Sequence, residues 1–288
     1  MRRDATVVLL TGLLLATGAC ASAPRTVYFP SADGRTELVR YLYAPARSGP
    51  HPAVVLLHGR AGPYSSNVNG SCTTVARGSS SPCNADTLSK RHRMWGEYWA
   101  SHGYAALLVD SFGPRGRAHG FGRHTHDDPA REAVNERTVR PLDAEGALAW
   151  LAAQPDVKAD RVMLQGWSNG GSTTLNTLYR QAEAKARGPR FRAALAFYPG
   201  CGPTALLARK LETDVPLLLL LGSADEEVSP AVCREVAERS RRPPEIRWYE
   251  GATHDFDDPG PERQAVAANR SAQADALARA APFFDAAP

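Results

Sequence analysis

The stretch RVMLQGWSNGGSTTLNTL, residues 161–178, constrains the fold more than any other part of the chain. A short apolar run, Val162-Met163-Leu164, enters Gly166-Trp167-Ser168-Asn169-Gly170, and a helix-compatible run leaves it. Strand, sharp turn and helix follow one another with a serine at the apex. In a G-x-S-x-G turn of this kind the serine sits in a strained backbone conformation, and small residues two positions away on either side let strand and helix approach closely. The turn lifts the hydroxyl clear of the sheet and leaves the helix N-terminus beneath it, where free N–H groups favour developing negative charge. Ser168 is therefore the candidate nucleophile.

The chain around this turn reads as an alternation. Residues 26–29 and 37–43 predict two strands joined at Ala32-Asp33-Gly34-Arg35. Ala53-Val54-Val55-Leu56-Leu57 is a continuous apolar run, the mark of a strand buried on both faces of a mainly parallel sheet. Trp95, Tyr98 and Trp99 give the next helix an apolar face, and residues 105–109 form a further buried strand. Ala144, Ala147, Leu148 and Leu151 recur at helical spacing within residues 138–154. Strands follow at 192–198, 216–221 and 245–249, a Ser229-Pro230 helix start lies between the last two, and an alanine-rich helix closes the chain. Such alternation predicts an α/β fold with a mainly parallel sheet flanked by helices on both faces. Polar stretches at 63–90 and 113–137 read as surface insertions, so residues 24–288 are expected to be one domain.

With 288 residues and 43% hydrophobic content, the chain has enough material for one sizeable core. Its formal charge of +4 is spread without a Lys/Arg block, and nothing in it suggests a nucleic-acid partner. Residues 1–23 read as an export signal: Arg2 and Arg3 precede an apolar segment from Ala5 to Ala16, too short to span a bilayer. The segment ends in Thr17-Gly18-Ala19-Cys20, which resembles the bacterial lipobox, where the cysteine is diacylated and becomes the mature N-terminus. Thr17 departs from the usual leucine. Lipidation at Cys20 is preferred to cleavage after Ala23, and either route exports the chain. The expected location is the bacterial cell envelope, periplasmic or membrane-anchored, with membrane contact only through the lipid.

Export changes how the remaining four cysteines read, because an even set in an oxidising compartment suggests disulfides. The favoured pairing is Cys72–Cys83 within one loop and Cys201–Cys233 across two later elements; other pairings stay open. Loop-closure arithmetic assigns about 3 kcal/mol to the first and between about 3 and 4 kcal/mol to the second.

A serine hydroxyl is a poor nucleophile until a base removes its proton, and the base needs a partner to fix its tautomer. In an open α/β sheet, reactive groups gather at the carboxyl ends of strands. Three such ends carry the required types, in the order Ser168, Asp225, His254, which is the order of α/β-hydrolases. Asp225 is preferred to Glu226 and Glu227 because it follows its strand most closely. Of the eight histidines only His254 comes just after the final strand. Two N–H donors are needed for the oxyanion. Asn169, directly after the serine, supplies one, and Arg60, in the His58-Gly59-Arg60 loop after the first buried strand, is the choice for the other. His58 itself is expected to point under that loop.

Trp167, Tyr198, Phe112 and Arg115 are candidates to shape the acyl site, although aromatics beside such a turn more commonly pack the sheet. Arg115 or Arg117 is placed to hold a substrate carboxylate in a bidentate pair. His124, His126, Asp127 and Asp128 resemble a metal cluster in composition alone and lack a defined third ligand, so no metal and no cofactor is expected.

Taken together, His58-Gly59, residues 110–116, Gly166 to Gly171, Gly222 to Asp225 and Gly251 to Phe256 resemble the dienelactone hydrolase family of the α/β-hydrolase superfamily, over about residues 35–285. The resemblance implies an α/β-hydrolase fold and a Ser168–Asp225–His254 triad acting on a small-molecule ester or lactone. Founding members of the family carry cysteine at the position of Ser168 and an acidic residue near the first oxyanion loop. Here serine and Arg60 stand at those places, which favours a general carboxylesterase. A polyester- or feruloyl-type esterase on the same fold is the nearest alternative. A non-catalytic envelope lipoprotein that uses the fold for binding is the alternative from another class.

Overall fold

The computed structural model describes residues 24–184, 188–205, 207, 211 and 213–288, so the expected export signal and Cys20 lie outside the described residues. Eight strands form one sheet: β1 (Arg25–Pro30), β2 (Glu37–Tyr43), β3 (His51–Leu57), β4 (Ala105–Asp110), β5 (Val157–Trp167), β6 (Phe191–Phe197), β7 (Leu217–Gly222) and β8 (Glu245–Tyr249). Their spatial order is β1-β2-β4-β3-β5-β6-β7-β8. The β1/β2 and β2/β4 pairs are antiparallel and every later pair is parallel. This is the mainly parallel sheet that the alternating sequence predicts, with the antiparallel strands at one edge.

The continuous apolar runs are continuous because both faces are covered. Along β3, Val54 and Leu56 face one cluster while Ala53, Val55 and Leu57 face the other, as the two-residue strand period requires. On the first face lie α2 (Lys90–Ser101), through Trp95 and Trp99, and α7 (Ala267–Asp285), through Ala272, Ala276, Ala280 and Phe284. The second face is covered by α3 (Arg140–Ala152), α4 (Asn169–Ala184) and α5 (Pro230–Glu238). A fully buried tryptophan such as Trp95 removes roughly 150–250 Å² from water, a gross gain of roughly 4–6 kcal/mol at about 25 cal/mol per Å². Two four-residue helices, α1 (Ser66–Asn69) and α6 (Pro261–Gln264), sit in connections.

Strand register brings the loops that matter to one rim. Leu57 pairs with Gly166, Trp167 with Phe197, and Gly222 with Tyr249, so the ends of β3, β5, β6, β7 and β8 lie side by side. The polar stretches at 63–90 and 113–137 add little to the sheet. Phe121 and Val134 of the second form a small cluster of their own with Phe112.

Closeness at the turn explains its glycines. A Cβ on Gly166 would collide with the Gly170 carbonyl oxygen, and one on Gly170 with the carbonyl of Leu57. Both obstacles are backbone and cannot swing away. Gly170→Ala is therefore expected to destabilise the fold by about 3 kcal/mol or more, the upper range for overpacking, read as a lowered urea midpoint. A variant as stable as the parent would show that the turn is looser than described.

Both disulfides have the favoured pairing, Cys72–Cys83 and Cys201–Cys233. The second bond closes 32 residues and ties the end of β6 to α5. A Cys201→Ser, Cys233→Ser double variant is expected to melt roughly 10 °C lower while keeping its turnover at 25 °C, since the loop-closure term is about 3–4 kcal/mol. Loss of turnover at 25 °C with the fold intact would give the bond a direct part in the site.

Candidate active site

Ser168 sits between the last residue of β5 and the first of α4 with a φ of 51°, the left-handed region that a non-glycine residue adopts at a cost. Its own backbone holds it there. The N–H donates to the carbonyl of Phe197 at 3.0 Å, and the carbonyl accepts from Ser172 N–H at 2.9 Å. The side chain is thereby pushed out toward the rim, where β8 delivers His254.

His254 Nε2 lies 3.0 Å from Ser168 Oγ, and Nδ1 lies 2.8 Å from Asp225 Oδ2. Because a carboxylate only accepts, the proton on this imidazole is fixed on Nδ1, and the Nε2 lone pair faces the serine O–H. The other carboxylate oxygen of Asp225 accepts from the N–H groups of Glu227 and Val228 at 2.8 and 2.9 Å. The histidine loop is pinned in turn: its N–H donates to Glu226 Oε2 at 2.9 Å, and Arg263 holds the second oxygen of Glu226 at 2.6 Å. The three residues that the sequence singled out thus form one unbroken hydrogen-bonded chain. Glu226 and Glu227, the weighed substitutes for Asp225, do not touch Nδ1. Glu227 stands near the opposite nitrogen, 3.8 Å from Nε2, gripped by Arg60 at 2.8 and 2.9 Å and by Arg123 at 2.8 Å.

Burial alone would lower the pKa of His254, but the hydrogen bond to Asp225 and the nearby Asp255 and Glu227 carboxylates outweigh it and hold the imidazole above its ordinary 6.5. Only the neutral ring can take a proton. The acidic limb of kcat/KM is therefore expected to have its midpoint above pH 6.5, with activity rising as pH climbs through it. Glu227→Gln removes one of the charges responsible and moves that midpoint down. An acidic limb below pH 6.5 in the parent would contradict this electrostatic picture.

The two expected oxyanion donors flank the serine. Asn169 is the first residue of α4, and the Gly59-Arg60 loop lies against the turn, since a Cβ on Gly59 would stand 3.6 Å from that of Ser168. Among the described residues neither the Arg60 nor the Asn169 backbone N–H is taken up by a hydrogen bond. Arg140, which carried no signal in the sequence, fastens these two arms together. It is fully buried, donates to the carbonyl of His58 at 2.7 Å and to the Asn169 side-chain oxygen, and is pushed down to about 10 by that burial. His58 points under the loop as expected: Nδ1 pairs with the Gly59 carbonyl at 2.7 Å and Nε2 accepts from Ser111 N–H at 3.2 Å. Burial and Arg140 keep its pKa well below the ordinary value, so it is neutral.

Three expected substrate contacts are corrected. Trp167 is fully buried and donates its indole N–H to Asp257 at 2.8 Å. Tyr198 is also fully buried, with its hydroxyl on Asp257 and its ring 4.6 Å from that of His254. Arg115 is held by Asp143 through two bonds of 2.8 Å and is not available to a substrate carboxylate. In each case the fold consumes the polar atom that the substrate was expected to use. Phe112, weighed beside them, stacks edge-on to His58 at 4.5 Å.

Asp257 also accepts from Trp95 at 2.7 Å, so one buried carboxylate gathers two indoles and a phenol under the histidine loop. Burial raises its pKa despite nearby Arg91. Arg91 further pairs with Asp255 at 2.8 Å and Asp258 at 3.0 Å. Burial works against the Asp255 charge, but Arg91 and His254 prevail and bring that carboxyl down to about 2. The sequence signal was the acidic run that follows His254, Asp255-Phe256-Asp257-Asp258, to which no role was assigned.

Among the described residues one set has its ligand atoms close enough for a metal: Glu227, His254 and Asp255, within 4.8 Å of one another. Its imidazole is engaged with Ser168 and Asp225, and its carboxylates with Arg60, Arg123 and Arg91. These partners make the set a charge frame around the histidine. His124 and His126 instead line a small cleft beside Ser168.

Two clefts meet at Ser168, with Arg60 and Glu227 on the border of both. One, of about 190 Å³, includes His254, Asp255 and Asp258, and the other, of about 30 Å³, includes Asn169, Ser172 and Gly200. A larger concavity of about 650 Å³ lies between α3 and α4, remote from this chemistry and lined by none of the three residues of the hydrogen-bonded chain.

Both the sequence and the fold have known relatives. The sequence model of the dienelactone hydrolase family matches residues 87–287. Among solved structures, a dienelactone hydrolase-like promiscuous phosphotriesterase from metagenomic libraries is similar with a TM-score of 0.64 and 20% identity, covering 91% of this chain and 96% of that one. A thermophilic esterase from the Planctomycetes species Thermogutta terrifontis, with propionate bound, is similar with a TM-score of 0.59 and 20% identity, covering 94% and 96%. At such identities these structures speak for the fold alone.

Proposed function

The chain belongs to the dienelactone hydrolase family and with it to the carboxylic ester hydrolases, and from that premise we propose that it cleaves carboxylic esters or lactones through an acyl-enzyme on Ser168. His254 Nε2 takes the hydroxyl proton as Oγ bonds to the carbonyl carbon, and the carbonyl electron pair moves onto oxygen. The N–H groups of Arg60 and Asn169 receive that oxyanion, each donor being worth about 2.7–4 kcal/mol of barrier. Collapse breaks the bond to the leaving alkoxide, which takes the proton from Nε2 and departs as an alcohol. Water then repeats the sequence, giving up a proton to His254 and releasing the carboxylic acid and a free Ser168 hydroxyl. Asp225 keeps the imidazole in the required tautomer and stabilises its cationic form.

One observation carries the reading: the hydrogen-bonded chain from Asp225 through His254 to a serine held at a φ of 51°. A strained residue at the end of a buried strand has a cost that packing does not recover, and exposure of its hydroxyl to the base is what it gains. Residues 24–288 serve as a single catalytic domain in this reading. Export to the cell envelope, free in the periplasm or anchored at Cys20, belongs to the proposal, and the two disulfides support it because such bonds persist in oxidising compartments.

The test is turnover together with the intermediate. Purified protein is mixed with p-nitrophenyl acetate, quenched in acid and digested. Release of p-nitrophenolate well above the buffer rate, with an acetyl group on the Ser168 peptide, is expected. Background release and no acylated peptide would reject the reading.

A further inference from the structure

Given the esterase reading above, on which this inference rests, we propose that the site is built for acetyl esters of neutral, hydroxyl-rich alcohols such as sugars and other polyols. The leaving oxygen must receive its proton from His254 Nε2, so the alcohol has to occupy the cleft that His254 lines. That is the cleft of about 190 Å³. The cleft of about 30 Å³, which holds Asn169 but not His254, is left for the acyl chain. Stereochemistry thus assigns the two clefts before their size is considered.

Their sizes then set the two halves of the substrate. The acyl side has room for little more than a water-sized group or two, and the alcohol side for a group several times larger. The acyl side also has little room to grow. A Cβ on Gly200 would stand 2.9 Å from Ala205, 3.5 Å from Ser172 Oγ and 3.7 Å from Val228, so those walls are nearly in mutual contact. Ser172 Oγ is already bonded to both the N–H and the carbonyl of Gly200, each at 3.0 Å. The Cys201–Cys233 bond anchors the residue next to Gly200, which keeps that wall in place.

The alcohol side is lined by polar and charged groups. Ser66 and Asn69 border it from α1, and among the described residues neither side chain is spent on a hydrogen bond within the fold. Asp255 and Asp258 border it from the histidine loop, each about a quarter to a third exposed and each bonded to Arg91. Carboxylates, an amide and a hydroxyl accept and donate hydrogen bonds to several alcohol groups at once. With Glu227 beside them, three carboxylates face the two guanidinium groups of Arg60 and Arg91, which selects against an anionic alcohol. An apolar alcohol of the same size would cover the Ser66 hydroxyl and the Asn69 amide without giving them a partner. A hydroxycinnamoyl group is too large for the acyl side, which argues against the feruloyl-type alternative.

The experiment compares kcat/KM along two series. Along the acyl series, p-nitrophenyl acetate is expected to exceed the butyrate by at least about tenfold and the hexanoate by far more, since each methylene in a pocket is worth roughly 10–200-fold. Val228→Ala, which opens the acyl wall, raises the butyrate-to-acetate ratio. Along the alcohol series, monoacetylated methyl glucoside is expected to exceed cyclohexyl acetate at least tenfold, and Asn69→Ala reduces that advantage more than it reduces turnover of p-nitrophenyl acetate. Equal or better turnover of hexanoate, or of cyclohexyl acetate, would overturn this inference while leaving the esterase reading standing. If no ester is hydrolysed at all, both fall.

Discussion

Ser168→Ala is expected to lower kcat/KM for p-nitrophenyl acetate by at least about 10⁴-fold, the loss that follows when the nucleophile is removed from a hydroxyl–imidazole–carboxylate unit. The rest of the molecule should barely register the change. Ser168 Oγ bonds to His254 Nε2, while the contacts that hold the turn come from its backbone N–H and carbonyl. Alanine keeps the Cβ that already tolerates a φ of 51°. The melting temperature should therefore stay within a few degrees of the parent, and a steady-state assay on a folded variant separates lost chemistry from lost structure. Residual activity within tenfold of the parent would mean that another group attacks the ester.

Asp225→Asn is expected to cost roughly 10³–10⁴-fold in kcat, through the tautomer and not through charge alone. Asp225 Oδ1 is pinned by the N–H groups of Glu227 and Val228, so the amide oxygen of asparagine takes that place. Its NH₂ then meets His254 Nδ1, which must become an acceptor. The ring proton moves to Nε2 and donates to Ser168 Oγ, where a base is needed. Glu227 stands beside Nε2, on the opposite edge of the ring from Asp225, and Glu227→Gln is expected to cost less than Asp225→Asn while shifting the acidic limb. A loss below tenfold in Asp225→Asn, measured over the whole pH range, would show that the tautomer is fixed by something else.

The sheet and the residues of the hydrogen-bonded chain were legible because each depends on local pattern. Runs such as Ala53–Leu57 are apolar at every position only when both faces are covered, and Ser168, Asp225 and His254 each follow a strand whose end is marked by small residues. Partner choice among Asp225, Glu226 and Glu227 was legible for the same reason, since proximity to the strand end decides which carboxylate reaches the imidazole. Substrate contacts were not legible. Trp167, Tyr198 and Arg115 have the right chemistry and the right place in the chain, but Asp257 and Asp143 claim them. Those carboxylates come from segments 28 to 90 residues away, beyond the reach of motif spacing. Arg140 illustrates the same limit: it opens an ordinary helix, and only the folded chain lays it between His58 and Asn169.

The most direct test is labelling with a fluorophosphonate probe followed by peptide mapping. Such a probe reacts with a serine whose proton a neighbouring base can accept and whose oxyanion finds donors. A single adduct on the Ser168 peptide is predicted, abolished in Ser168→Ala and slowed by orders of magnitude in a folded His254→Ala variant. A folded parent protein that takes up no probe, or takes it up at a different residue, would contradict the account.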